Sequence, residues 1–79
     1  MKTIEDRARK VISRNLGVAP DAVTPEKYLI DDLGADALDV VEILMDTEQE
    51  FDIIIPERVA DRLTTVGALI TYLKEHVSA

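Results

Sequence analysis

The stretch that decides the fold is Ala37-Leu38-Asp39-Val40-Val41-Glu42-Ile43-Leu44-Met45-Asp46-Thr47-Glu48-Gln49-Glu50-Phe51. At about 100° per residue, Val40, Ile43, Leu44, Thr47 and Phe51 fall on one side, the stripe that a helix buries. Asp36 stands before the stretch as its N-cap, and Asp39 sits at the third helical position, where the helix dipole favours a carboxylate. Leu38, Val41 and Met45 fall on roughly the opposite side. A surface helix needs one buried stripe, and this one has a second.

The second stripe has charged borders. Asp36, Asp39, Glu42 and Asp46 run along one side of it and Glu48 lies on the other. Apolar side chains rimmed by carboxylates are laid out as a recognition surface, and Met45 is flexible enough to meet several partners. The alternative is that the long connection preceding the helix covers Val41 and Met45, leaving the acids as a solvated face.

Outward from this segment the chain reads as helices only. Ile4, Ala8, Val11, Ile12 and Leu16 repeat at helical spacing, predicting a first helix over about Thr3 to Leu16 with Thr3 as N-cap and Gly17 at its end. Pro20 and Pro25 interrupt any helix between Gly17 and about Ala35, a connection long for so small a domain. Val18, Val23, Tyr28, Leu29, Ile30 and Leu33 are its candidates for inward packing. Pro56 suits the first turn of a short third helix, about Pro56 to Asp61. Thr65 caps a last helix, about Val66 to His76, whose apolar face is Val66, Leu69, Ile70, Leu73 and Val77. The β-branched run Ile53-Ile54-Ile55 is too short, and too close to Pro56, to make a stable strand. The expected fold is all-α: a four-helix bundle of three longer helices and one short one, with residues 1–79 as a single domain.

Composition sets the remaining bounds. The chain has 79 residues, 47% of them apolar, and no cysteine, so neither a disulfide nor a thiolate metal site supports a core near the lower size limit for folding. A net charge of −7, from 16 acids and 9 bases, argues against nucleic-acid binding and favours basic protein partners. No apolar run is long enough to span a membrane, and Met1 to Asp6 lack the apolar stretch of a signal peptide, so a cytoplasmic monomer is expected.

Catalytic machinery is absent. His76, the one histidine, sits in the last helical turn, where it complements the dipole. Ser13 lies in the first helix and Ser78 in a frayed C-terminus, so no nucleophilic triad converges. Gly17, Gly34 and Gly67 are isolated and form no phosphate loop. Asp31, Asp32, Asp36 and Asp39 are clustered but lack the ligand spacing of a calcium loop, and capping with solvation accounts for them. Neither enzyme activity nor a metal site is expected.

Asp32-Leu33-Gly34-Ala35-Asp36-Ala37-Leu38-Asp39 closely resembles the prosthetic-group site of bacterial acyl carrier proteins. The resemblance extends over nearly the whole chain, through Leu16-Gly17-Val18, Glu42, Glu48 to Phe51, Ile55-Pro56, Ala60 and Thr64-Thr65-Val66 to Tyr72. It implies a four-helix bundle that carries acyl groups between enzymes of fatty-acid-type synthesis as thioesters of 4′-phosphopantetheine. It further implies that basic-surfaced partner enzymes, a phosphopantetheinyl transferase among them, dock on Asp36, Leu38, Asp39, Val41, Glu42, Met45, Glu48 and Ile55. The family attaches the prosthetic group to a serine where this chain has Ala37. A methyl group has no oxygen to form the phosphodiester, so no 4′-phosphopantetheine is expected on this chain. Two readings of Ala37 stand: an engineered serine replacement, or a natural carrier-like module that docks without carrying. Gln49 trims the acidic rim, Asp46 restores it nearby, and Thr47 stands where a larger apolar residue fits the core. Ile53 and Ile54 either extend the recognition surface or line the interior.

Overall fold

In the computed structural model, residues 3–77 are described; Met1, Lys2, Ser78 and Ala79 lie outside them, and with them the expected place of Ser78. The chain forms α1 (Ile4–Leu16), α2 (Ala37–Phe51), α3 (Glu57–Ala60) and α4 (Val66–His76), and a single 3-10 turn (Pro20–Ala22) interrupts the long connection between α1 and α2. No strand occurs among the described residues; Tyr28 and Thr65 make one isolated antiparallel bridge.

Side chains set three of the four helix starts. Thr3 Oγ1 accepts the Asp6 amide at 3.1 Å and Thr65 Oγ1 accepts the Ala68 amide at 3.0 Å. Hydrogen bonds from Thr3 hold the Asp6 carboxyl below its usual range, with Arg9 adding to the effect. At α2 the capping is reciprocal: Asp36 Oδ1 accepts from the Asp39 amide at 2.8 Å while Asp39 Oδ2 accepts from the Asp36 amide at 3.1 Å, satisfying two donors that the helix leaves open. The third helix is shorter than the sequence suggests. Pro56 is extended, with ψ at 147°, and acts as N-cap, so only Glu57–Ala60 are helical.

The core sits where α1 meets α2 and α4. Ile12, Ile43, Leu69, Leu73, Val11, Val23, Val66 and Leu29 are fully buried, each contributing roughly 1.5–3 kcal/mol of burial. Thr47, expected to weaken this core, is wholly buried with its hydroxyl satisfied: Oγ1 donates to the Ile43 carbonyl at 2.7 Å. The last turn of α2 has no base of its own. Arg7 of α1 supplies one, donating to Glu50 Oε2 at 2.9 Å and to the Glu50 carbonyl at 2.6 Å, with its guanidinium 4.3 Å from the centre of the Phe51 ring. This places a cation at the negative end of the helix dipole.

The long connection is docked by its backbone. The amides of Val66 and Gly67 donate to the carbonyls of Lys27 (3.0 Å) and Pro25 (2.9 Å), and the Leu29 amide donates to the Thr64 carbonyl at 3.0 Å. Gly67 permits this approach, because a Cβ there would lie 2.9 Å from the Pro25 oxygen. Of the six candidates for inward packing, Val23 and Leu29 are buried and Val18 and Leu33 half-buried, whereas Tyr28 and Ile30 are exposed.

Past α2, Asp52 adopts the left-handed conformation at φ 54°, ψ 49°. A residue with a Cβ pays a modest strain there that glycine does not, and a carboxylate at a helix C-terminus opposes the dipole. Both effects have the same sign. Asp52→Gly is expected to stabilise the domain by up to about 1 kcal/mol, read as a rise in melting temperature of roughly 4–8 °C.

Candidate functional site

The capping box fixes the start of α2, and Ala37 is the first helical residue. Its side chain is exposed and is a methyl group. Beside it opens a mostly apolar groove of about 470 Å³. It is lined by Tyr28, Leu29, Ile30 and Asp31 of the long connection, by Ala37 and Val40 of α2, and by Ala60, Asp61, Leu63 and Thr64 at and after the end of α3. The exposure of Tyr28 and Ile30 thus belongs to the groove, which the sequence pattern did not reveal. The hydrogen bond from the Leu29 amide to the Thr64 carbonyl ties the first and last of these segments together.

The two stripes of α2 separate in the structure. Ile43, Thr47 and Phe51 are buried, and Val40 and Leu44 half-buried. Leu38, Val41 and Met45 are 66%, 50% and 54% exposed, so the long connection does not cover them. Glu42 is exposed beside them, and Asp36 and Asp39 remain at the surface while they cap the helix.

Other acids of the expected rim are engaged within the chain. Asp46 Oδ2 accepts from Asn15 Nδ2 of α1 at 2.8 Å, so this carboxylate braces α1 against α2. Glu48 is half-buried, and its Oε2 accepts the Ile55 amide at 2.7 Å. Its main work is to shape the turn after α2. Ile55 requires a correction: it is buried to 8% exposure as part of the core, so little of it lies at the surface where a contact residue is expected. Its neighbour Ile54 is 83% exposed, while Ile53 packs half-buried against the core. The run alternates in, out and in, as an extended segment must.

Asp32 and His76 have structural partners. Asp32 Oδ2 accepts the Tyr28 amide at 2.8 Å, and among the described residues no three acids or histidines gather in a way that could hold a metal ion. His76 Nδ1 donates to the Tyr72 carbonyl at 2.9 Å and its ring stacks on Tyr72. No described helix is long and apolar enough to cross a membrane.

An apolar groove opening at a helix N-terminus suits a flexible arm with a phosphate at its root, because the dipole favours an anion there. Covalent attachment at Ala37 does not fit, since the residue offers no hydroxyl. A family profile described as "Phosphopantetheine attachment site" matches residues 6–73. The solved structure of a Mycobacterium tuberculosis protein assigned as an acyl carrier protein is 33% identical to this chain, covers 92% of it and 97% of its own length, and superposes with a TM-score of 0.86. The helices, the groove at the start of α2 and both matches agree: this chain belongs to the phosphopantetheine-attachment family, a carrier-type domain and not an enzyme.

Proposed function

We propose that this chain is the docking half of an acyl carrier: it presents α2 to basic-surfaced enzymes of acyl-chain synthesis and transfer in the cytoplasm, and stays without 4′-phosphopantetheine. One observation carries the reading. Ala37 stands at the first position of an intact, reciprocally capped helix start, with Leu38, Val41 and Met45 exposed beyond it and Glu42 beside them. The attachment chemistry is missing while the surroundings that a partner would read are kept. The partners are those of fatty-acid-type synthesis, including a phosphopantetheinyl transferase that binds but finds no nucleophile.

The preserved surface also favours a second reading, in which a natural module of this design occupies carrier-docking surfaces or regulates an enzyme. The two differ only in the native residue at position 37, which the genomic codon decides.

Docking is tested through Glu42, which is exposed and has no capping role. Glu42→Lys is expected to weaken binding to a basic phosphopantetheinyl transferase by about tenfold at low salt, with a shallower dependence of the remaining affinity on ionic strength. Unchanged affinity and unchanged salt response, measured by titration calorimetry, would reduce the acidic face to solvation.

A further inference from the structure

Among the described residues, Ile54 is the most exposed of the large apolar side chains, at 83%. Single exposed apolar residues are common and need no explanation. This one differs in how firmly the backbone presents it. The amides of Asp52 and Ile53 both turn back to the Glu48 carbonyl. The Ile55 amide is held by the Glu48 carboxylate at 2.7 Å. Ile55 is anchored in the core on one side and Ile53 packs against it on the other. Pro56 follows and restricts the backbone of its predecessor. Ile54 is therefore a β-branched side chain on a fixed backbone, with little freedom left to lose on binding.

The sequence around it is acidic. Residues 48–61 contain Glu48, Glu50, Asp52, Glu57 and Asp61, with Arg58 as the one base. Glu48 and Glu50 are engaged within the chain. Asp52 and Glu57 flank Ile54 in sequence and are exposed. An apolar knob among carboxylates matches an apolar socket bordered by arginine or lysine.

We propose that Ile54 is a second anchor of the docking surface, seated in an apolar socket with a basic border on the same partner protein that meets Leu38, Val41 and Met45. The first anchor runs from Leu38 to Met45, and Ile54 follows the far end of α2, which lies about 9 Å of helix beyond Met45 and about 20 Å beyond Leu38. A partner that engages both must follow the helix over its whole length, and this selects among basic proteins that charge alone would admit. The inference rests on the docking reading above, and its test separates the two.

A phosphopantetheinyl transferase is titrated with the unaltered chain, with Ile54→Gln and with Glu42→Lys, and thermal unfolding of each chain is followed in parallel. Ile54→Gln is expected to melt with the unaltered chain and to bind at least about fivefold more weakly, as loss of a buried anchor does. Its salt dependence stays that of the unaltered chain, because no charge has changed. Binding within about twofold of the unaltered chain, while Glu42→Lys binds weakly, overturns the second anchor and leaves the docking reading standing. A large fall in melting temperature also overturns it, since the side chain would then belong to the core. Weakening by Ile54→Gln with no effect of Glu42→Lys supports the anchor and removes the acidic part of the docking reading. No binding by the unaltered chain overturns both.

Discussion

A chain carrying Ala37→Ser is expected to gain the mass of one phosphopantetheine arm on incubation with a phosphopantetheinyl transferase and coenzyme A, whereas the unaltered chain gains none. The substitution adds one oxygen at the first position of α2, where the side chain is exposed. The capping box between Asp36 and Asp39 does not involve that side chain, so it is kept. Serine costs about 0.5 kcal/mol in helix propensity relative to alanine, too little to unfold the domain. The new hydroxyl would stand at the positive end of the helix dipole, which favours the phosphodiester anion once formed. Intact-mass measurement reads the result directly. Absence of a gain in Ala37→Ser would count against the carrier reading, and a gain in the unaltered chain would show that the attachment point has been misplaced.

The second large effect contrasts two residues of α2 that lie two positions apart. Ile43 is fully buried and Val41 is 50% exposed. Ile43→Ala removes buried methyl and methylene groups and leaves a cavity, at a cost of about 2–5 kcal/mol. A domain of this size has roughly 4–12 kcal/mol in all, so the melting temperature should fall by roughly 10–25 °C. Val41→Ala should change stability by no more than about 0.5 kcal/mol, yet it removes part of the surface proposed for docking. The two variants should therefore separate: one poorly folded, the other well folded with weakened binding to a basic partner. Equal losses of stability would mean that α2 is buried on both sides.

Periodicity made α2 legible because both of its stripes follow from a 3.6-residue repeat. The same repeat gave α1 and α4, with Thr3 and Thr65 marking their starts, and the ends of α2 coincide with the expected ones. The difficulties lie where no period operates. In Ile53-Ile54-Ile55 the sequence offers three equal side chains. Which one faces outward is set by the left-handed turn at Asp52 and by the reach of the Glu48 carboxylate. The family resemblance points to Ile55 as a contact residue, whereas Ile54 is the exposed one. On a helical wheel Asp46 and Glu48 fall among the rim acids. Their partners, Asn15 and the Ile55 amide, lie on other segments that a wheel does not include. The groove was illegible for the same reason, since Tyr28 and Ile30 read as core until the connection is seen docked on Thr64 to Gly67.

That docking bears on when the site comes into being during synthesis. The first amides of α4 are satisfied by carbonyls of Pro25 and Lys27, and Leu29 is held by Thr64. The connection is thus completed by residues made some 40 positions after it, and a chain still lacking α4 has part of the groove lining without these hydrogen bonds. A ribosome-bound fragment ending before Thr64 would carry the whole of α2 with its acids and no finished site beside Ala37. The groove beside Ala37 is in this way finished last, once Thr64, Val66 and Gly67 have made their three backbone hydrogen bonds to the connection.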